Sequence, residues 1–256
     1  MNRSPHETVP VEVCIDASSR LVARRSAAAA FRGGATRVEV CSDMSVYGLT
    51  PPQASVAEVR RVFGRRRGVL VMIRPRPGDF VYSLAEQTLM RRDLEMAVET
   101  GADGVVFGAL SQSDSRIDVS VVRAQVQAAK ESGVRTVFHR AFDAVPDRRE
   151  ALEMLIDCGV NSVLTAGIPW GAPGTALDGL ETLEEIVRSA AGRIEVVIGG
   201  GIGSSNVKVI LSKIRSCGGP MAVHSYSGVL TKGTTSLAKV RELVSIVSDS
   251  LREQSP

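Results

Sequence analysis

The tetrapeptide Val-Glu-Val-Cys stands at Val11–Cys14 and again at Val38–Cys41. Successive side chains of a strand point to opposite faces, so each copy sets a glutamate and a cysteine on one face and two valines on the other. In a parallel barrel the apolar outer face packs on helices. The valines then point outward, and Glu12, Cys14, Glu39 and Cys41 point inward on neighbouring strands about 5 Å apart.

The surrounding chain supports that reading. Short apolar strands alternate with amphipathic stretches, as parallel strands joined by crossover helices require. Strands are expected at Val11–Asp16, Arg37–Ser42, Val69–Arg74, Gly104–Leu110, Thr136–Phe142, Ser162–Ala166, Glu195–Ile198 and Met221–Ser225. Helices are expected near Ser19–Arg32, Ala54–Gly64, Leu84–Thr100, Val119–Glu131, Arg148–Asp157, Leu180–Ala191, Ser205–Arg215 and Leu237–Leu251. Gly34, Gly101, Gly133 and Gly159 each fall between a helix and the next strand, where a left-handed residue ends a helix. Eight such units in 256 residues suit an α/β (β/α)8 TIM barrel better than a doubly wound sheet. No linker or low-complexity block divides the chain, so one domain is expected over 11–251, with Met1–Pro10 and Arg252–Pro256 loose.

Composition narrows the function. With 44% hydrophobic but only 4% aromatic residues, the core is built from Val, Ile, Leu and Ala. A net charge of +3 from 31 basic and 28 acidic residues exerts no strong pull on nucleic acid or anionic membrane. The basic run Arg65–Arg67 follows a helix and reads as its solvated end. No segment approaches the roughly 20 apolar residues of a membrane span, and Met1–Pro10 does not read as a signal, so a cytoplasmic protein is expected. Four cysteines make no disulfide framework in a chain of this size.

Two buried carboxylates are costly unless paired. Arg74 and Arg76, with His139 and Arg140, are the expected partners of Glu12 and Glu39, either as a structural ion network or as acid-base machinery. Cys14 and Cys41 are either small buried hydrophobes or ligands for a soft ion such as Cu(I). Cys158 and Cys217 look incidental. Phe138-His139-Arg140-Ala141-Phe142-Asp143 gathers an imidazole, a guanidinium and a carboxylate where a barrel strand ends, the usual place for chemistry. Gly199-Gly200-Gly201 precedes a helix beside His224 and Ser225; it is either a tight turn or a cradle for an anion. Arg76-Pro77-Gly78-Asp79-Phe80 reads as a turn at the rim.

Together with Met72-Ile73-Arg74-Pro75-Arg76, Gly78-Asp79-Phe80, Ala102–Gly108 and Gly199–Ile202, these runs resemble, in order, the CutC copper-homeostasis family from Val11 to about Ser225. The resemblance implies a (β/α)8 barrel, a homo-oligomer (dimer or tetramer), cytosolic copper handling, and Cys14 and Cys41 as the copper contacts. Tyr47-Gly48-Leu49-Thr50-Pro51-Pro52 and Ser225-Tyr226-Ser227-Gly228 depart from the family pattern. The other expectation, from the ionisable residues, is a barrel enzyme acting on a small phosphorylated or otherwise anionic substrate. Its acid-base candidates are Glu12, Glu39, His139, Arg140 and Asp143, and its anion contacts are Arg74, Arg76, Gly199–Gly201, His224 and Ser225.

Overall fold

The computed structural model describes residues 9–252. Eight parallel strands close into a barrel in sequence order: β1 Val11–Asp16, β2 Arg37–Cys41, β3 Val69–Met72, β4 Gly104–Phe107, β5 Arg135–Phe138, β6 Ser162–Thr165, β7 Glu195–Ile198 and β8 Met221–Ser225. Each is followed by a helix: α1 Arg20–Gly33, α2 Gln53–Phe63, α3 Leu84–Glu99, α4 Val119–Glu131, α5 Arg148–Asp157, α6 Leu180–Ala190, α7 Val207–Ile214 and α8 Leu237–Arg252. A hairpin of β9 Leu230–Thr231 and β10 Thr234–Thr235 precedes α8.

Local signals explain the element ends. Ser19 accepts from the Val22 amide to start α1, and Ser83 with Glu86 forms a reciprocal capping box on α3, satisfying donors that an α-helix leaves open. Gly34 ends α1 at φ 92°, a conformation that costs a residue with a Cβ. The outward valines Val11, Val13, Val38 and Val40 join the apolar layer under the helices, whereas Cys14, Cys41, Leu70, Met72, Val106, Val137, Leu164, Val197 and Ala222 pack inside the barrel. The alternation read from Val-Glu-Val-Cys therefore holds.

Several strands are shorter than their apolar runs. The fifth stops at Phe138 instead of Phe142, because His139 turns the chain: its Nδ1 accepts the Ala141 amide and a 3-10 turn follows over Arg140–Ala144. Residues 1–8 and 253–256 of the segments expected to be loose lie outside the described residues. Val9 is buried and the Pro10 carbonyl accepts from the Val223 amide at 3.0 Å, so ordered packing begins before β1. Among the described residues no helix is long and apolar enough to cross a membrane.

The β1–β2 register positions the site. Cys14 pairs with Glu39, and Cys41 with Asp16. The second Val-Glu-Val-Cys is thus displaced by two residues along the first, which follows from strand tilt in a closed barrel. Cys14 and Glu39 come side by side, and Cys41 rises one step nearer the mouth.

Candidate functional site at the barrel mouth

At the C-terminal ends of the strands lies a cavity of about 230 Å³, where barrel enzymes and binding proteins carry their chemistry. Its floor is a cluster of sulfur and ionisable groups. The Cys14 and Cys41 sulfurs are 3.8 Å apart, and the Met44 sulfur lies 3.8 Å from that of Cys14. Met44 stands in a 3-10 turn, Met44–Val46, just beyond β2. That turn closes over Cys41 at Gly48, whose φ is 88° and where a Cβ would come within 3.1 Å of the Cys41 sulfur and 3.4 Å of the Met44 sulfur. His224 reaches the cluster from β8, with Nδ1 2.8 Å from Glu12 Oε1 and 3.3 Å from Glu39 Oε2. Cys14, Glu39 and His224 present donor atoms within 4.8 Å of one another.

The charge states follow from these neighbours. The Cys41 thiol hydrogen-bonds to Cys14 and, against the cost of burial and with help from His224, brings the Cys14 thiol down to about 6. The same contact, with burial, pushes the Cys41 thiol well up. Burial, then the charge on Cys14, raises Glu39 to about 8. Burial opposes the charge on His224, yet Glu39, Cys14 and Glu12 together raise it well above the ordinary imidazole range. Of the two thiols Cys14 is therefore the more readily ionised, while Cys41, Glu39 and His224 are all shifted towards their protonated forms.

Glu12 sits below the floor, and its basic partners differ from those expected. Arg37 Nε lies 3.1 Å from Glu12 Oε2, and Arg37 Nη1 lies 2.9 Å from Glu195 Oε2, to which Arg135 and the Ser162 hydroxyl also bind. Burial alone would raise Glu12; Arg37 and the His224 hydrogen bond overcome it and hold the carboxyl below its usual range. Arg37 has the same strand parity as Glu39 and Cys41, so the pattern that put those two inside points to it as well.

Basic and aromatic side chains line the rest of the cavity. Arg74, His139 and Arg140 line it, with Phe80, Tyr47 and Trp170. Trp170 packs edge-on against Tyr47 at 4.9 Å and Phe80 at 5.3 Å. Gly200 and Gly201 border the cavity, but close packing already accounts for both. A Cβ on Gly200 would come within 2.5 Å of the Ala166 Cβ, and one on Gly201 within 2.9 Å of Thr175 Cγ2.

The remaining candidates lie behind the wall or on the rim. Gly199 is wedged against the Leu164 side chain. The Ser225 hydroxyl donates to the Ile202 carbonyl at 2.6 Å. Asp143, fully buried, accepts from Thr165, the Ala166 amide and Arg140 Nε; it ties the β5 end to β6 and orients Arg140. Arg76 bridges Glu86 and Asp79 on the rim turn. Sequence reasoning missed Met44, Tyr47 and Trp170. The spacing Cys41-x-x-Met44 is a signal for the first, but Trp170 reaches the cavity from the long connection after β6, which no local pattern reveals.

The molecule is a parallel α/β barrel with a buried pair of free thiols at its C-terminal mouth. Residues 9–228 match the model of the CutC family. A CutC family protein of Xanthomonas campestris pv. campestris strain 8004 is 39% identical over 235 residues, covering 87% of this chain and 94% of the relative. The chain belongs to the CutC family. The crystal structure of a putative copper homeostasis protein CutC from Streptococcus agalactiae superposes with a TM-score of 0.73 at 29% identity, covering 86% of this chain and 99% of that one. An N-(5'-phosphoribosyl)anthranilate isomerase from Pyrococcus furiosus, 16% identical with a TM-score of 0.57 over 94% of this chain and 99% of its own, shares the fold alone.

Proposed function

We propose that this chain binds Cu(I) as cargo through the Cys14 and Cys41 sulfurs, with Met44 as a third sulfur donor, and so handles copper in a reducing cytosol. The observation that carries this reading is the sulfur triangle's spacing. A metal–thiolate bond of about 2.3 Å puts two sulfurs sharing one ion roughly 4 Å apart, and the Cys14 sulfur lies 3.8 Å from each of its two sulfur neighbours. Thiolate and thioether donors favour Cu(I) over harder ions. Cys14 is held as the thiolate, the form that binds metal. His224, between Glu12 and Glu39 and shifted towards its charged form, favours the Cys14 thiolate and leaves the sulfurs as the donors.

The test is titration of the reduced, metal-free chain with Cu(I) against a competing chelator. Near-stoichiometric binding is expected, lost in the Cys14→Ser/Cys41→Ser double variant and weakened in Met44→Leu. Unchanged affinity in the double variant removes the reading. So does a preference for Zn(II) that disappears in Glu39→Gln/His224→Asn, which would assign the site to the harder donors.

A further inference from the structure

Two connections that leave opposite sides of the barrel meet at its mouth. Tyr47 follows β2 and Trp170 follows β6, four places apart in a closed ring of eight strands, so a contact between them spans the mouth. Their rings pack edge-on with centroids 4.9 Å apart, and both line the cavity that holds Cys14 and Cys41. Phe80, buried in the connection after β3, supports Trp170 at 5.3 Å. The same three rings border a second cavity of about 500 Å³ that reaches Pro77 and Asp79 of the rim turn, and so stand between it and the first. Although they line the inner cavity, Cys14 is 2% exposed and Cys41 1%.

The two halves of this contact are held differently. Trp170 is anchored: its amide donates to the Asp143 carbonyl at 2.9 Å, and the Arg140 guanidinium stands over its ring at 5.2 Å. Tyr47 is 64% exposed. Its φ is 68°, between Asp43 at 47° and Gly48 at 88°, in a region that a residue with a Cβ enters at a cost. Backbone of this kind persists where surrounding contacts hold it, and the ring that Tyr47 packs against is that of Trp170. Tyr47 also closes the turn Met44–Val46, so the segment that carries the Met44 sulfur carries the ring as well.

We propose that the Tyr47–Trp170 pair is a bar across the mouth that selects by size what reaches the Cys14 and Cys41 sulfurs. An ion or a molecule of a few atoms passes beside the rings; a larger one is kept out while they touch. One edge-on aromatic contact suits this role, because it fills space with two rigid rings yet is weak enough to break and re-form. The inner cavity of about 230 Å³ is below the several hundred Å³ of sites for drug-sized ligands, which agrees with a small cargo. The proposal takes the sulfur floor of the copper reading as what is covered. Its test contains no metal, so the two readings fail separately.

The test treats the reduced, metal-free, full-length chain with N-methylmaleimide and, separately, with pyrenyl maleimide, which share one electrophile and differ in size. Peptide mass spectrometry follows modification of Cys14 and Cys41, with the half-buried Cys217 as internal reference. In the parent the small reagent should modify the floor thiols and the bulky one should lag, relative to Cys217, by roughly tenfold or more. Tyr47→Gly and Trp170→Ala should each remove most of that lag and leave the small reagent's rate within about twofold. If Trp170→Ala does not fold, Tyr47→Gly carries the test, since glycine suits the backbone at that position. No lag in the parent, no reaction of the floor thiols with either reagent, an unchanged lag in a folded variant, or equal acceleration of both reagents would each overturn the proposal.

Discussion

Each end of the barrel buries an arginine, and the two are neutralised differently. At the N-terminal end Arg37 lies between Glu12 and Glu195, and Arg135 adds a second cation to Glu195. At the C-terminal end Arg74 has backbone carbonyls, the face of Phe80 and the Tyr82 side chain, with no carboxylate among the described residues. The first arrangement pairs charge with charge; the second sets a charge against neutral dipoles and a ring face and leaves Arg74 Nε without a hydrogen-bond partner. Charge paired with charge is costly to break from one side, whereas charge held by carbonyl dipoles ties together the loops that supply them. This agrees with the division in such barrels between a stabilising bottom and a functional top.

The comparison can be broken most strongly at the closed end. Arg37→Met removes the cation shared by Glu12 and Glu195, leaving Glu12 only His224, and should destabilise the fold by about 3–5 kcal/mol, read as the denaturation midpoint at neutral pH. Glu12 is held below its usual range by Arg37, so the native chain gains from its ionised form above the unfolded value near 4.5 and loses that gain below it. The gap between Arg37→Met and the parent should therefore narrow in acid. A constant gap would show that Arg37 acts by packing alone.

A smaller effect is expected at the open end. Arg74→Met removes donors from three carbonyls but also removes an unpaired buried charge, and the two partly cancel to about 1–2 kcal/mol. A loss as large as that of Arg37→Met would mean that Arg74 is equally structural and would erase the contrast between the two ends.

An effect absent at neutral pH and growing only in acid sharpens the role of His139. Its folded pKa of about 3 lies below the unfolded value near 6.5, so the unfolded chain binds the extra proton between those values. The neutral ring's contribution is fully present above about pH 6.5 and declines as pH falls towards 3, by at most about 1.4 kcal/mol per pH unit. His139→Asn, which keeps an acceptor and a donor, should flatten that slope in denaturation measured across this range. Parallel curves for the two proteins would mean that His139 is not held neutral.

Much of this was legible in the residues. The alternation in Val-Glu-Val-Cys identified which side chains enter the barrel, and the eight strand–helix units matched the observed order. Helix-ending glycines were recognisable because Gly34, Gly101, Gly133 and Gly159 all have positive φ. Within the site, Cys14, Cys41, Glu39, Arg74, His139, Arg140 and His224 do meet at one cavity. The partners of the glutamates were not legible. Glu12 was expected to pair with arginines and a histidine from the third and fifth strands, whereas it meets Arg37 from the second strand and His224 from the eighth. Trp170 was missed for the same kind of reason, since its place depends on a loop folding back over the mouth.

The sequence by itself determined the direction of each strand side chain, because alternation is a property of one extended backbone and needs no neighbour. It also determined the succession of helices and strands, through apolar periodicity and capping residues. Only the tertiary structure decided which of those inward groups touch. The two-residue stagger of β2 on β1 puts Glu39, not Cys41, directly beside Cys14. Closure of the barrel brings His224 to Glu12 across 212 residues of chain. Stagger and closure arise from packing eight tilted strands around one axis, and that information is spread over the whole chain rather than carried by any motif.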